Sequence, residues 1–230
     1  MTSWLRAVLA AAALALLGTA PALAQLDKIS HQEANAGLKA ALEKGSVAAV
    51  AALGRTDGFF GNGAVKIPLP DSLKRYEKLM RGVGMGKYAD ELILTMNRAA
   101  EAAVPEAKAL LADAVKKMTL QDAKGILTGG STAGTEYFKR TASEPLRDKF
   151  LPIVQQATRK VQLAEKYNRY AERGARFGLV KKADANLDSY VTQKALDGLF
   201  YMIAEEEKRI RDNPVKAGSD ILRKVFGALK

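Results

Sequence analysis

The sequence contains no cysteine and a single histidine, His31. Without cysteine there are no disulfide staples, no thiolate metal sites, no thiol nucleophile and no acylated cysteine of a lipoprotein. His31 falls in a first helical turn beside an apolar stripe, where capping or packing is its expected role. Ser-His-Asp, Cys-His and His-rich zinc arrangements are therefore not expected. Aromatic residues make up only 7% of the chain, with one tryptophan. Stability must come from burial and helix packing alone.

Long apolar runs are equally scarce. The one present, Ala7 to Leu17, follows the basic Arg6, is broken by Gly18 and Pro21, and ends in the small-residue pair Ala22 and Ala24. That order predicts a cleavable signal peptide over residues 1–24, with cleavage before Gln25. A retained anchor would need about 20 apolar residues. The expected product is a periplasmic protein, and the remaining residues 25–230 are expected to form one domain.

Acidic charge is also in short supply, with 25 Asp and Glu against 36 Lys and Arg and a net charge of +11. For an exported protein this favours anionic envelope components or a protein partner over nucleic acid. The basic residues are dispersed in pairs, among them Lys116-Lys117, Arg159-Lys160 and Arg223-Lys224, which also fits a plain solvated surface.

What is abundant is helical periodicity. Ser30 and Glu33 form a capping-box pattern ahead of Ala34, Leu38, Ala41 and Leu42. Gly45 is expected to end or kink that helix, and Ser46 to cap a second one through Leu53. The stretch Val65 to Pro70 contains two prolines and reads as an extended crossover. Asp71 is expected to cap a helix stopping at Gly82, and Lys87 to Val104 predicts the next. Pro105 suits the first turn of a helix over 106–117, and Thr119 with Asp122 opens a short one ending near Gly129-Gly130. Ser131 or Thr132 restarts the chain. An amphipathic pattern after Ser143 runs through Phe150, Val154, Val161 and Ala164, with a kink or new start expected at Pro152. Residues 174–186 read as an exposed linker or lid, Leu187 to about Arg211 as a long helix, and Ile221 to Phe226 as a last short one. The expected fold is all-α, a multi-helix orthogonal or bundle-like domain with one extended proline-containing crossover.

Three glycine-rich stretches, 58–63, 82–86 and 129–132, lack the strand and the Gly-Lys-Ser/Thr triplet of a nucleotide site and read as helix-ending turns. The third leaves open an anion held on the free amides of the helix that follows it.

On the 187–211 helix, Leu196, Leu199, Phe200, Ile203 and Ile210 define an apolar stripe, and Glu207 falls inside it. A carboxylate there must be paired, protonated or locally exposed. Arg211, one turn on, is the expected partner in a structural ion pair, with an acid or metal-ligand role as the alternative. The candidate polar cluster is Asn97, Glu101, Asp197, Glu207 and Arg211, with no catalytic residue assigned and with metal and cofactor left open. Glu101 shares the polar side of its helix with Asp90, so solvation is expected for it.

Several stretches together resemble one family: Gly37 to Leu42, Asp57-Gly58-Phe59, Ile67 to Pro70, Asn97 to Glu101, Asp122-Ala123, Tyr190-Val191-Thr192, Ala195 to Phe200, and Glu207 to Arg211 with Asn213-Pro214. The combination is similar to the exported bacterial family known only as domain of unknown function DUF4197. Gly134 departs from it, a second alanine being usual there. The resemblance implies an exported protein of Gram-negative bacteria and one all-helical domain, and brings no activity, cofactor or catalytic residue. Three readings of function stay open: a non-enzymatic binding module, a carboxylate enzyme with or without a divalent cation, and a carrier of an apolar molecule between helices.

Overall fold

The computed structural model describes residues 31–160, 164, 167, 168, 176, 186–214 and 225, the side chains of residues 31, 75 and 76 excepted. The expected signal peptide, the 174–186 linker apart from residues 176 and 186, most of the Ile221 to Phe226 helix and the role of the His31 side chain lie outside the described residues.

Seven α-helices carry the described chain: α1 (His31–Leu53), α2 (Asp71–Gly82), α3 (Gly86–Ala103), α4 (Ala107–Lys117), α5 (Leu120–Thr128), α6 (Ala133–Thr158) and α7 (Leu187–Asp212). A 3₁₀ turn, Val104–Glu106, joins α3 to α4 and places Pro105 where its missing amide is harmless. No strand occurs among the described residues, and the all-α bundle-like fold is as expected.

The chain divides into two compact units, one of Leu42–Lys208 and one of Met1–Ala41 with Arg209–Lys230. In the larger, α6 is the hub, packing on α3, α4 and α5, while α2 packs on α3. Its core is built from Leu92 and Met96 of α3, Leu111 of α4, Phe138, Leu146, Phe150 and Val154 of α6, and Leu196 and Leu199 of α7, all buried. In the smaller unit Leu38, Ile210 and Val225 are buried.

Three helix boundaries depart from local expectation. Helix α1 runs through Gly45 without a break. The Ser46 hydroxyl, expected as a cap, turns back and donates to the Glu43 carbonyl at 2.9 Å. Asp71 is the first helical residue of α2 rather than its cap, and it pairs with Lys74 at 2.8 Å. Helix α6 starts at Ala133 and continues through both Pro145 and Pro152. Each proline removes the amide that would bond four residues back, to the carbonyl of Thr141 or Asp148. Both prolines and both of those residues are exposed, so water can satisfy the freed carbonyls while Phe138, Ala142, Leu146, Phe150 and Val154 hold the buried face. Tertiary burial outweighs the local break.

The capping box at α5 is fully formed. The Thr119 hydroxyl accepts from the Asp122 amide at 3.1 Å, and the Asp122 carboxylate accepts from the Thr119 amide at 3.1 Å.

Candidate functional site

Between α1 and α2 the chain makes a tight, non-helical passage over residues 54–70, and α3 organises it. Glu101 is only 4% exposed, which corrects the expectation that it is solvated. Its Oε1 accepts hydrogen bonds from the main-chain amides of Phe59 at 3.0 Å and Phe60 at 3.1 Å. Its Oε2 accepts from Arg98 Nη1 at 2.6 Å, and Arg98 Nη2 donates to Asp57 at 2.7 Å. The Arg98 guanidinium, bonded first to Glu101 and then to Asp57, is held still more firmly in its charged form. Asp57 has φ +64°, a left-handed turn that directs the following amides at Glu101.

Asn97 acts one turn earlier on the same helix. Fully buried, it accepts from the Ile67 amide at 2.8 Å and donates to the Ile67 carbonyl at 2.9 Å and the Ile93 carbonyl at 2.8 Å. The amide side chain thus pairs with the extended crossover as a neighbouring strand would. Without these groups the buried backbone of residues 59 and 67 would lack partners at about 1–3 kcal/mol each.

The passage is also seated on α7. Phe59 is fully buried and lies where Gly198 has no side chain; a Cβ at Gly198 would stand 2.6 Å from Phe59 Cε1. A Cβ at Gly58 would strike the Leu53 carbonyl and come within 2.7 Å of that of Ala52. The Tyr190 hydroxyl donates to the Pro68 carbonyl at 3.1 Å. Asp57-Gly58-Phe59, Ile67-Pro68, Asn97 to Glu101, Tyr190 and Gly198 are therefore one structural assembly, although they are scattered in sequence.

A second carboxylate is held in the same manner. Glu207, 8% exposed and within the apolar stripe of α7, accepts from the Gly134 amide at 2.9 Å, the Thr135 amide at 2.8 Å and the Thr135 hydroxyl at 2.9 Å. These are the first amides of α6, so Glu207 supplies negative charge at a helix N-terminus. The anion that the 129–132 stretch left open is a side chain of the same protein. Gly134 permits the approach: a Cβ there would lie 3.1 Å from Glu207 Oε1 and would collide with Leu42 Cδ2.

Of the remaining candidates, Asp197 stands elsewhere and Arg211 follows Glu207 one turn on along α7. Asp197 is exposed, 2.8 Å from Gln193 Nε2 and 3.7 Å from Lys194 Nζ. Arg211 is half-buried in the smaller unit. Among the described residues no group of three or more His, Asp and Glu side chains could hold a metal ion. Asn97 and Glu101 are brought together on one passage, Glu207 serves another helix end, and Asp197 joins neither.

Residues that were not among the candidates complete these arrangements. Thr135, Arg98, Asp57 and Gly198 are described above, and Asp188 accepts from Thr158 Oγ1 at 2.5 Å and Asn168 Nδ2 at 3.3 Å. Only Arg98 carried a local signal, its spacing of three from Glu101.

Two open grooves adjoin on the outer side of α6. One, of about 540 Å³, lies against α7 and is lined by Glu136, Lys139, Arg147, Asp197, Phe200 and Tyr201 among others. The other, of about 470 Å³, lies against α5 and is lined by Asp122, Ile126, Glu136, Tyr137 and Arg140 among others. Burial raises the Tyr137 phenol above its usual range, and its hydroxyl donates to the Ala114 carbonyl at 2.7 Å.

Fold and site together define an all-helical domain whose buried polar side chains bind its own backbone. The chain belongs to the family described as protein of unknown function (DUF4197), whose model matches residues 28–227. No curated protein and no solved structure matches the chain with significance.

Proposed function

We propose that this member of the family is a non-enzymatic binding or interaction module exported to the periplasm, acting on an anionic envelope component or a partner protein. The observation that supports it is the engagement of the buried polar groups. Asn97, Glu101 and Glu207 each accept bonds from backbone amides of distant segments, so they serve as clamps. Acid-base chemistry needs a carboxylate facing a cleft within reach of a substrate. The carboxylate-enzyme reading drew on Glu101, Asp197 and Glu207; of these only Asp197 borders a groove, and the three do not converge. The apolar-carrier reading draws nothing from the two grooves, which are open and lined with charged side chains.

Export rests on the leader pattern of residues 1–24, and the basic composition supports an anionic counterpart. Among the described residues no helix is long and apolar enough to cross a membrane. Native mass spectrometry of the protein recovered from its own periplasm tests the reading. The expected mass begins at Gln25, with an envelope molecule or a protein retained. A chain found in the cytoplasm with residues 1–24 intact, or turnover of a small molecule abolished by Glu101→Gln, overturns it.

A further inference from the structure

The passage between α1 and α2 carries two dipeptides open to the same self-reaction, Asp57-Gly58 and Asn62-Gly63. In each, the amide nitrogen of the glycine can attack the side-chain carbonyl carbon of the residue before it, since glycine has no side chain to obstruct the approach. Asn62 is the one asparagine of the chain that glycine follows.

The fold treats the two in opposite ways. At the first, Gly58 is buried and its amide donates to the Arg55 carbonyl at 3.0 Å, while the Asp57 carboxylate is paired with Arg98 at 2.7 Å. Nucleophile and electrophile are both engaged. At the second, Gly63 is exposed. The amides around it are bonded: Gly61 to the Asp57 carbonyl at 3.1 Å, Asn62 to the Phe59 carbonyl at 3.1 Å, and Val65 and Lys66 to the Asn62 carbonyl at 3.1 and 2.8 Å. The Gly63 amide donates to no atom of the described residues.

The Asn62 side chain is also set for attack. Its Oδ1 accepts from the Ala64 amide at 3.1 Å, which carries the side chain forward along the chain and draws electrons from its carbonyl carbon. The same donor would hold the oxyanion formed on attack. The leaving nitrogen, Nδ2, donates to Met202 Sδ at 3.9 Å, a weak acceptor. Glycine is not needed at 63 for the turn: its φ is outside the left-handed region, and a Cβ there would meet nothing within 4 Å.

We infer that Asn62-Gly63 is a self-modification site, at which the folded protein loses ammonia and passes to aspartate and isoaspartate. Hydroxide takes the Gly63 amide proton, the nitrogen bonds to Asn62 Cγ, and the Cγ–Nδ2 bond breaks, ammonia leaving with a proton from water. Water then opens the succinimide ring at either carbonyl. Opening at Cγ gives aspartate. Opening at the main-chain carbonyl gives isoaspartate, whose backbone runs through Cγ and whose former main-chain carbonyl is a free carboxylate. The Val65 and Lys66 amides then lose their turn, which lies between the amides held by Glu101 and the Ile67 pairing with Asn97. Isoaspartate therefore releases the passage from its clamps. The inference stands apart from the proposed binding role.

The experiment incubates the chain in the form that cells produce, folded and in urea, in mildly alkaline buffer. Charge variants are separated by cation exchange, and digestion with pepsin in acid locates the change without promoting it. The folded chain is expected to gain an acid at residue 62 at a rate within roughly tenfold of that in urea, since no hydrogen bond of the fold has to break to free the Gly63 amide. Asp57 is expected to isomerise in urea only. Gly63→Ala should keep the melting temperature and lose the conversion. Asn62→Asp supplies the aspartate product directly and should resist proteolysis within residues 54–64 as the parent does, whereas the isoaspartate fraction is cut faster.

A folded chain that stays unconverted while the unfolded chain reacts overturns the inference. So does conversion that persists in Gly63→Ala, or an isoaspartate fraction cut no faster than Asn62→Asp.

Discussion

Glu207 meets the main-chain amide of Thr135 at 2.8 Å, across 72 positions of sequence. The bond joins the buried stripe of α7 to the first turn of α6, the helix on which α3, α4 and α5 pack. Glu207→Gln keeps one acceptor but turns an NH₂ toward donors already in place, and a loss of about 1–3 kcal/mol is expected. Urea unfolding measures the loss, and hydrogen exchange should show the Gly134 and Thr135 amides deprotected first.

Gly134→Ala tests the same junction sterically. The added methyl would collide with Leu42 Cδ2, the movable end of a buried side chain, and press on Glu207 Oε1. The single change is expected to destabilise by about 1–3 kcal/mol, and Leu42→Val should recover part of that. A double-mutant cycle with coupling of at least about 0.5 kcal/mol is the expected outcome, and strict additivity would show that the two positions do not touch.

The clamp on the 54–70 passage predicts a larger effect. Asn97→Asp removes both donated bonds and places a charge at a fully buried position, so a loss of about 3 kcal/mol or more is expected. Glu101→Gln breaks the pairing with Arg98 yet keeps an acceptor for Phe59, and should cost less. Limited proteolysis within residues 54–64 should accelerate in both, more in Asn97→Asp.

Gly198→Ala should displace the buried Phe59 ring, costing about 1–3 kcal/mol. Phe59→Leu in the same chain should return part of the loss. A melting temperature unchanged by Gly198→Ala would contradict the close seating of the ring.

Acid sensitivity should concentrate at the start of α5. The Thr119 hydroxyl, then its amide, then Arg140 hold the Asp122 carboxyl below its ordinary 3.8. Its folded pKa lies under the unfolded one, so its contribution is present above 3.8 and is lost as pH falls through the folded value. Asp122→Asn should cost about 1 kcal/mol near neutrality. Thermal melts should show that difference shrinking below about pH 4, and a difference constant down to about pH 2 would contradict the sign.

Much of the fold is local physics and was readable as such. The boundaries of α3, α5 and α7 follow from apolar periodicity, the Thr119–Asp122 box and terminal glycine or proline, because helix hydrogen bonds and caps span three or four residues. The apolar stripe of α7 likewise placed Glu207 among buried neighbours without any knowledge of the fold.

What only the tertiary structure decided is where breakers are overruled and what the buried acids hold. Gly45 and Pro152 were expected to end, kink or restart their helices, yet α1 and α6 run through them, and α6 through Pro145 as well, because burial of the helix faces outweighs the local break. Glu101 was assigned to solvent from the wheel of its own helix, which cannot register a passage folding over it from 42 positions away. For Glu207 sequence offers only the next turn of its own helix, where Arg211 stands; the amides from which its carboxylate accepts belong to another helix, beyond the reach of that reading. Helical periodicity determined which side chains turn inward. The long-range meeting of α3 with the 54–70 passage, and of α7 with α6, determined that these acids bind backbone, since a buried carboxylate is stable only where donors converge on it.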